Sequence, residues 1–269
     1  MMPSVWVTSR IFRNKESQTP GQTRQKLAGE LTSKSKGSLS MNKSPRPGQR
    51  LGIMGGTFNP IHLGHLRAAE EITEKLRLDQ VYFMPSAKPP HKSPSPLVGY
   101  WHRLEMLKLA VSDRPGFWAS DLENHLPYPS YTVNTLRAFK KAWSARTSIF
   151  FLVGLDSFMS VARWHGYSEL LSLASFVVFA RAGITDSFEN MREMLIRDVD
   201  SKIRWSPKNE VFTAPQIKPI HFLPGGRLAI SSTDLRQRLE AGASVRYLVP
   251  EPVRIYIEKH GLYRSGNPE

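Results

Sequence analysis

From residue 50 onward the apolar positions fall into two alternating rhythms. Residues 50–54 and 80–84 (QVYFM) are short apolar runs, and 220–223 is a third. Residues 148–153 (SIFFLV) and 175–180 (SFVVFA) are continuous β-branched and aromatic stretches without polar alternation, the pattern of strands buried on both faces. Between them the spacing becomes helical. Leu66, Ala69, Ile72 and Leu76 share one face over 63–76, and Leu104, Leu107 and Val111 share one over 100–111. Further helices are expected at 130–142, led in by Ser130 or Thr132 as candidate caps, and at 186–198, 232–240 and 252–260. Prolines crowd residues 85–96, which are expected to form a loop, and 207–215 is expected to be a connection. Strand and helix alternate throughout, so the fold class is α/β, a parallel sheet flanked by helices with two helices at the C-terminus. Ligands of such sheets collect beyond the carboxyl ends of the strands. No internal repeat is present.

Residues 1–49 break this rhythm. They are rich in Ser, Lys, Arg, Gln, Gly and Pro, with few large apolar side chains to offset ordering entropy. A disordered basic extension is expected, with the folded unit at 50–264 and a short tail at 265–269. The extension reads as a basic arm, a targeting peptide or an upstream start, with Met41 just before the first strand as an alternative beginning. It holds nine Lys or Arg against two Glu, half of the formal net charge of +14. The remainder is only mildly basic, as suits a protein that handles polyphosphates. The absence of cysteine excludes disulfides and thiolate metal sites. No apolar run reaches the roughly 18–20 residues of a membrane helix. A cytoplasmic location without membrane partners is therefore expected, and the pattern is compatible with a homo-oligomer.

The strongest chemical signal follows the first strand: Gly55-Gly56-Thr57-Phe58-Asn59-Pro60-Ile61-His62-Leu63-Gly64-His65. The glycine pair lets the backbone approach a ligand closely. Thr57 offers a hydroxyl and an N–H to a phosphate, and the helix start adds partial positive charge and unsatisfied N–H groups. His62 and His65, three apart, project to the same side, and Gly64 between them leaves room for a base or phosphate to lie against the helix. As a metal site the pair is poor without a nearby carboxylate. Far downstream, Ile230-Ser231-Ser232-Thr233-Asp234-Leu235-Arg236 reads as a capped helix start with an arginine, a second set of anion-binding groups.

The first stretch resembles the GGTF(D/N)PxHxGH signature of the nucleotidyltransferase superfamily, and the second resembles its ISSTxIR element. The combination with Pro89-Pro90-His91-Lys92, Arg103-Leu104-Glu105-Met106-Leu107, Pro129-Ser130-Tyr131-Thr132, Gly154-Leu155-Asp156-Ser157 followed by Trp164, and Gly261-Leu262-Tyr263 is similar to the bacterial nicotinate-nucleotide adenylyltransferases. The resemblance implies a Rossmann-like single domain. It also implies transfer of AMP from ATP to nicotinate mononucleotide, giving deamido-NAD and pyrophosphate, with Mg²⁺ accompanying ATP. ATP would be held by Gly55, Gly56, Thr57, Phe58, His62, His65, Ser231, Ser232, Thr233 and Arg236, of which His62, His65 and Arg236 would be catalytic. The mononucleotide would be held by His91, Lys92, Thr132 and Asp156, with Trp164 stacked on the pyridine ring. Without the resemblance, Trp164 reads as core rather than a ligand platform, Asp156 as a helix cap, and Arg181 equally as a phosphate contact or a surface ion pair.

Three features depart from the family pattern: Asn59 where Asp is common, His165 after the tryptophan, and the basic extension. Two rival functions are weighed. Nicotinamide mononucleotide as acceptor shares the chemistry, and the choice rests on a few donors that sequence does not place. An RNA-binding protein on the same scaffold is prompted by the net charge. It requires salt-dependent binding by the core alone, and the intact motifs at both ends argue against it, so no nucleic-acid partner is expected.

Overall fold

The computed structural model describes residues 48–87, 97–143, 146–181, 187–226 and 228–264. The segment 1–47, the loop residues His91 and Lys92, the Arg181 side chain and the tail 265–269 lie outside the described set.

Eight strands form one sheet: β1 (Arg50–Gly56), β2 (Gln80–Pro85), β3 (Phe117–Ala119), β4 (Ser148–Gly154), β5 (Ser175–Arg181), β6 (Arg204–Ser206), β7 (Val211–Thr213) and β8 (Ile220–Gly226). Their order is β3-β2-β1-β4-β5-β8-β7-β6. The six strands from β3 to β8 pair in parallel. The helices are α1 (Leu63–Leu76), α2 (Tyr100–Val111), α3 (Thr132–Ala142), the short α4 (Leu155–Phe158), α5 (Tyr167–Leu173), α6 (Ser187–Met194), α7 (Ser232–Glu240) and α8 (Glu251–Lys259).

Strand side chains alternate between two cores, which explains the unbroken apolar runs. Ile53, Tyr82, Phe151 and Phe176 face the layer built on α3, α5 and α6, together with Leu136, Phe139, Leu170 and Met191. Met54, Phe83, Leu152 and Val177 face the opposite layer, where Ile72 of α1, Leu107 of α2, Leu235 of α7 and Val253 of α8 pack. Because both faces are covered, polar side chains are excluded from the central strands. The helix that follows β1 is closed at its C-terminus by Arg77 in the left-handed region at φ 47°.

The structure corrects the sequence reading at three places. The sheet is mixed, not wholly parallel: β6 pairs antiparallel with β7, and β7 antiparallel with β8. The expected connection over 207–215 therefore contains a strand. Three residues are too few to show a period, and Trp205, Phe188 and Phe212 close this edge as an aromatic cluster. Neither Ser130 nor Thr132 caps α3. Tyr131 is its N-cap residue without a side-chain cap bond, and the Tyr131 N–H donates to the Pro129 carbonyl in a tight turn that keeps Ser130 outside the helix. The helix expected over 186–198 ends at Met194 and continues as a π-turn, Leu195–Val199.

The strand order reverses direction at β1. From there the chain runs outward through β2 and β3 on one side, then crosses to β4 and β5 on the other. The carboxyl ends of β1 and β4 therefore flank the crevice where such sheets bind nucleotides.

Candidate active site

Gly56 ends β1, and the next residues turn sharply into α1. Phe58 takes a left-handed φ of 49° and is buried. Its ring meets the His65 ring edge-on at 5.1 Å between centroids. His62 is the N-cap residue of α1, with extended φ/ψ and only 3 % exposure. Its carbonyl accepts from the His65 N–H at 3.0 Å. The two imidazoles stack at 3.7 Å between centroids and 29° between planes, so the expected shared direction is realised. Gly64 is required here. A Cβ at this position would lie 3.0 Å from His62 Nδ1 and 3.6 Å from the Ile230 Cβ. The close approach thus places the second motif directly behind the first.

That second motif is bonded to the first. Ser231 caps α7, its Oγ accepting from the Asp234 N–H at 3.0 Å. Ser232 Oγ donates to the Pro60 carbonyl at 2.9 Å, and Arg236 Nη1 donates to the Asn59 carbonyl at 2.9 Å. Arg236 Nη2 also donates to Thr233 Oγ1 at 3.3 Å. The guanidinium, the paired imidazoles and two helix N-termini thus converge on the Gly55–His65 turn. Together they form a concentration of donors with an affinity for phosphate oxygens.

Asn59 is fixed from three directions. Its Oδ1 accepts from the Tyr263 hydroxyl at 2.9 Å and the Val98 N–H at 3.4 Å, while its carbonyl holds Arg236. An oxygen acceptor at this position serves whether the residue is Asn or Asp, which explains why the departure is tolerated. Burial raises the Tyr263 hydroxyl well above the ordinary tyrosine range and keeps it a donor.

Of the expected mononucleotide residues, Thr132, Asp156 and Trp164 are described. With Met54 paired to Leu152, β4 reaches the same sheet edge as the phosphate turn. Asp156 follows on α4, exposed. Thr132 opens α3, half-buried. Trp164 is also half-buried, and its Nε1 donates to Ser160 Oγ at 3.2 Å. The residues beside them join the two segments: Tyr131 stacks on His165 at 4.2 Å and 20°. The unfamiliar His165 thus acts as half of an aromatic pair next to Trp164.

Two buried charged neighbours of the turn were given no role by the sequence reading, which met Arg103 only within the Arg103–Leu107 motif. Arg103, 1 % exposed, donates through Nε to the Val98 carbonyl and through Nη1 to the Thr57 and Ser86 carbonyls, each at 2.9 Å. Glu123 is also buried and accepts from Thr135 Oγ1 at 3.1 Å and from the Ala87 N–H. Burial pushes its carboxyl up to about 7, against the lowering pull of those two donors and of Arg103. A signal for Arg103 does exist in the sequence, because it occupies the i position of the apolar i, i+4, i+7 stripe completed by Leu107 and Ala110.

Comparison with known proteins agrees with this geometry. Residues 53–238 match the family described as Cytidylyltransferase-like. The chain is 38 % identical over 216 residues to a protein of Syntrophotalea carbinolica named "Probable nicotinate-nucleotide adenylyltransferase", covering 80 % of this chain and 98 % of that one. It is 39 % identical to a protein of the same name from Trichlorobacter lovleyi, covering 80 % and 99 %. Among solved structures, the Plasmodium falciparum nicotinic acid mononucleotide adenylyltransferase complexed with NaAD superposes with a TM-score of 0.61 at 18 % identity, covering 80 % of this chain and 97 % of that one. At that identity the likeness speaks for the fold.

Proposed function

The chain belongs to the nicotinate-nucleotide adenylyltransferase family, and on that premise we propose how its own residues transfer AMP from ATP to nicotinate mononucleotide, giving deamido-NAD and pyrophosphate. Residues 50–264 are the unit that does so. The observation that carries the assignment is the bond from Arg236 to the Asn59 carbonyl, which places a permanent cation on the turn that bears His62 and His65.

The nucleophile is the 5′-phosphate of the mononucleotide, already an anion. An oxygen of that phosphate bonds to the α-phosphorus of ATP as the bond to the bridging α–β oxygen breaks, and pyrophosphate leaves with that electron pair. No strong base is needed, so catalysis consists of positioning and charge stabilisation. His62 and His65 donate to the α- and β-phosphate oxygens. Arg236 and the N-terminus of α7, with Ser231, Ser232 and Thr233, hold the departing pyrophosphate, while Gly55, Gly56, Thr57 and Phe58 admit the polyphosphate close to the backbone. On the mononucleotide side, Thr132 and the backbone near Trp164 take the pyridine carboxylate, Trp164 stacks on the ring, and Asp156 accepts from the ribose hydroxyls. His91 and Lys92 add charge toward phosphate.

Among the described residues no group of three or more His, Cys, Asp or Glu side chains is placed to hold a metal ion. The described residues thus offer no such cage, and in this reading Mg²⁺ enters with the substrate as MgATP, held by phosphate oxygens and water. Bound there, it neutralises charge on the polyphosphate.

The test is pyrophosphate release from MgATP with nicotinate and nicotinamide mononucleotides offered separately. Turnover with the acid form is expected at higher kcat/KM. Exclusive use of the amide would overturn the substrate assignment, and turnover with neither would overturn the activity.

A further inference from the structure

A buried guanidinium that bonds only to carbonyl oxygens is costly, because its charge leaves water without an anion in contact to offset it. Arg103 is such a group. Burial lowers its affinity for the proton, and the nearest opposing influences are Tyr263, Tyr100 and Glu123. Its position over the Tyr100 ring, 5.6 Å from the centroid, adds only a weak attraction. An apolar residue would fill this place on α2 at lower cost, so the arginine requires a reason in what it holds.

The three carbonyls it holds come from three separate segments. Thr57 belongs to the turn after β1, Ser86 follows β2, and Val98 precedes α2. Ser86 and Val98 each lie one residue outside Ala87 and Leu97, the described residues that flank the stretch carrying His91 and Lys92 in sequence. The other side chains in this cluster act on the same points. Glu123 takes the Ala87 N–H, and Asn59 Oδ1 takes the Val98 N–H.

The effect on the phosphate turn follows from peptide planarity. In a trans peptide the C=O and the next N–H point in opposite directions. The Gly56 carbonyl accepts from the Ser86 N–H at 2.9 Å and from Ser86 Oγ at 3.2 Å. The Thr57 carbonyl is held on Arg103. Two successive peptide planes are thus fixed with their oxygens toward Ser86 and Arg103, and the N–H groups of Thr57 and Phe58 are aimed the other way. Consecutive N–H groups presented in this manner, with Phe58 at positive φ, make an anion-binding concavity.

We propose that Arg103 is a positioning residue for the transfer: it fixes the Thr57–Phe58 peptide so that successive backbone donors meet the ATP phosphates, and it ties that turn to Ser86 and Val98. This deepens the transferase assignment and rests on it. Arginine is specified because one planar fork reaches three oxygens at once, which the single ammonium of lysine does not reproduce.

The experiment compares the full-length wild type with R103M and R103K, measuring kcat and KM for MgATP and for the mononucleotide alongside a thermal melt. Loosened donors disturb the reacting geometry more than ground-state binding. For R103M, kcat is expected to fall on the order of 10²-fold, with KM for MgATP changed by less than about threefold. R103K is expected to keep a cooperative melt and still lose about tenfold in kcat, by the same misplacement of donors. If R103M does not fold, R103K carries the test. Wild-type kcat per folded molecule in R103K, with only the melting temperature lowered, would show a merely structural arginine and overturn the proposal. Absence of turnover in the wild type would instead remove the transferase assignment itself.

Discussion

Gly64→Ala isolates the geometry of the histidine pair by adding one methyl group. The new Cβ would lie 3.0 Å from His62 Nδ1 and 3.1 Å from Cε1, tighter than most carbon contacts, so the ring must give by a few tenths of an ångström. Its room is limited. His62 is 3 % exposed, its ring stacks on His65 at 3.7 Å, and Ile230 closes the other side at 3.6 Å from the added atom. Overpacking of this kind costs about 1–3 kcal/mol. Alanine offsets part of that, because it is favoured over glycine in a helix by up to about 1 kcal/mol. The net loss of stability is therefore expected between about 0 and 2 kcal/mol, equivalent to a few degrees in melting temperature for a chain of this size. The effect on catalysis is larger, because an ångström of misplacement costs roughly 10²-fold and a fraction of that about tenfold. Pyrophosphate release under saturating substrates, read beside a thermal melt, separates the two. Unchanged kcat with an unchanged melt would refute the argument that His62 is held against the reacting phosphates by the space Gly64 leaves.

Four other outcomes follow from the same geometry. His65→Ala is expected to lower kcat/KM by about two decades, in the range of a lost oxyanion-type donor, with the fold intact by circular dichroism; a wild-type rate would remove His65 from the site. Tyr263→Phe deletes the donor to Asn59 Oδ1 and is expected to cost about 1 kcal/mol in denaturant unfolding and to raise KM for ATP; no change in either would mean that the tail does not hold the turn. Trp164→Ala is expected to raise KM for the mononucleotide while leaving that for ATP near its original value, and an equal rise in both would argue for a packing role. Glu123 has a carboxyl raised from 4.5 to about 7, so the folded state favours the protonated form. Its contribution is full below pH 4.5 and is lost as pH rises through about 7, a span worth about 3 kcal/mol; Glu123→Gln is expected to flatten stability against pH between 5 and 7.5, and an unaltered slope would place that titration elsewhere.

The central architecture was legible because the burial of strands on both faces leaves a direct mark. After their opening serines, runs such as those at 148–153 and 175–180 are apolar throughout, and helices α1, α2 and α7 begin and end where the apolar stripe places them, with Ser231 capping α7. The three-residue strands β3, β6 and β7 were not legible, since so short a run spans less than two periods. The same limit applies within the site. His62, His65 and Arg236 stand out because their chemistry is unusual at helix starts. Arg103 sits on an apolar helical stripe, but the carbonyls it holds, and the Thr135 hydroxyl and Ala87 N–H that meet Glu123, come together only in the folded chain. The stacking of Tyr131 on His165 is a further example, as only the folded chain brings α3 against the segment before α5.

Ser232 reaches back 172 residues to Pro60, and Arg236 reaches back 177 to Asn59. The Leu248 carbonyl meets the Leu63 N–H, and Tyr263 meets Asn59. A turn encoded near the start of the domain is therefore completed by segments synthesised 172 to 204 residues later. A nascent chain can pair β1 with β2 well before it can grip a nucleotide, and premature termination anywhere before Tyr263 yields a sheet with an unfinished catalytic edge. The turn is closed only once residues 232–263 have been made.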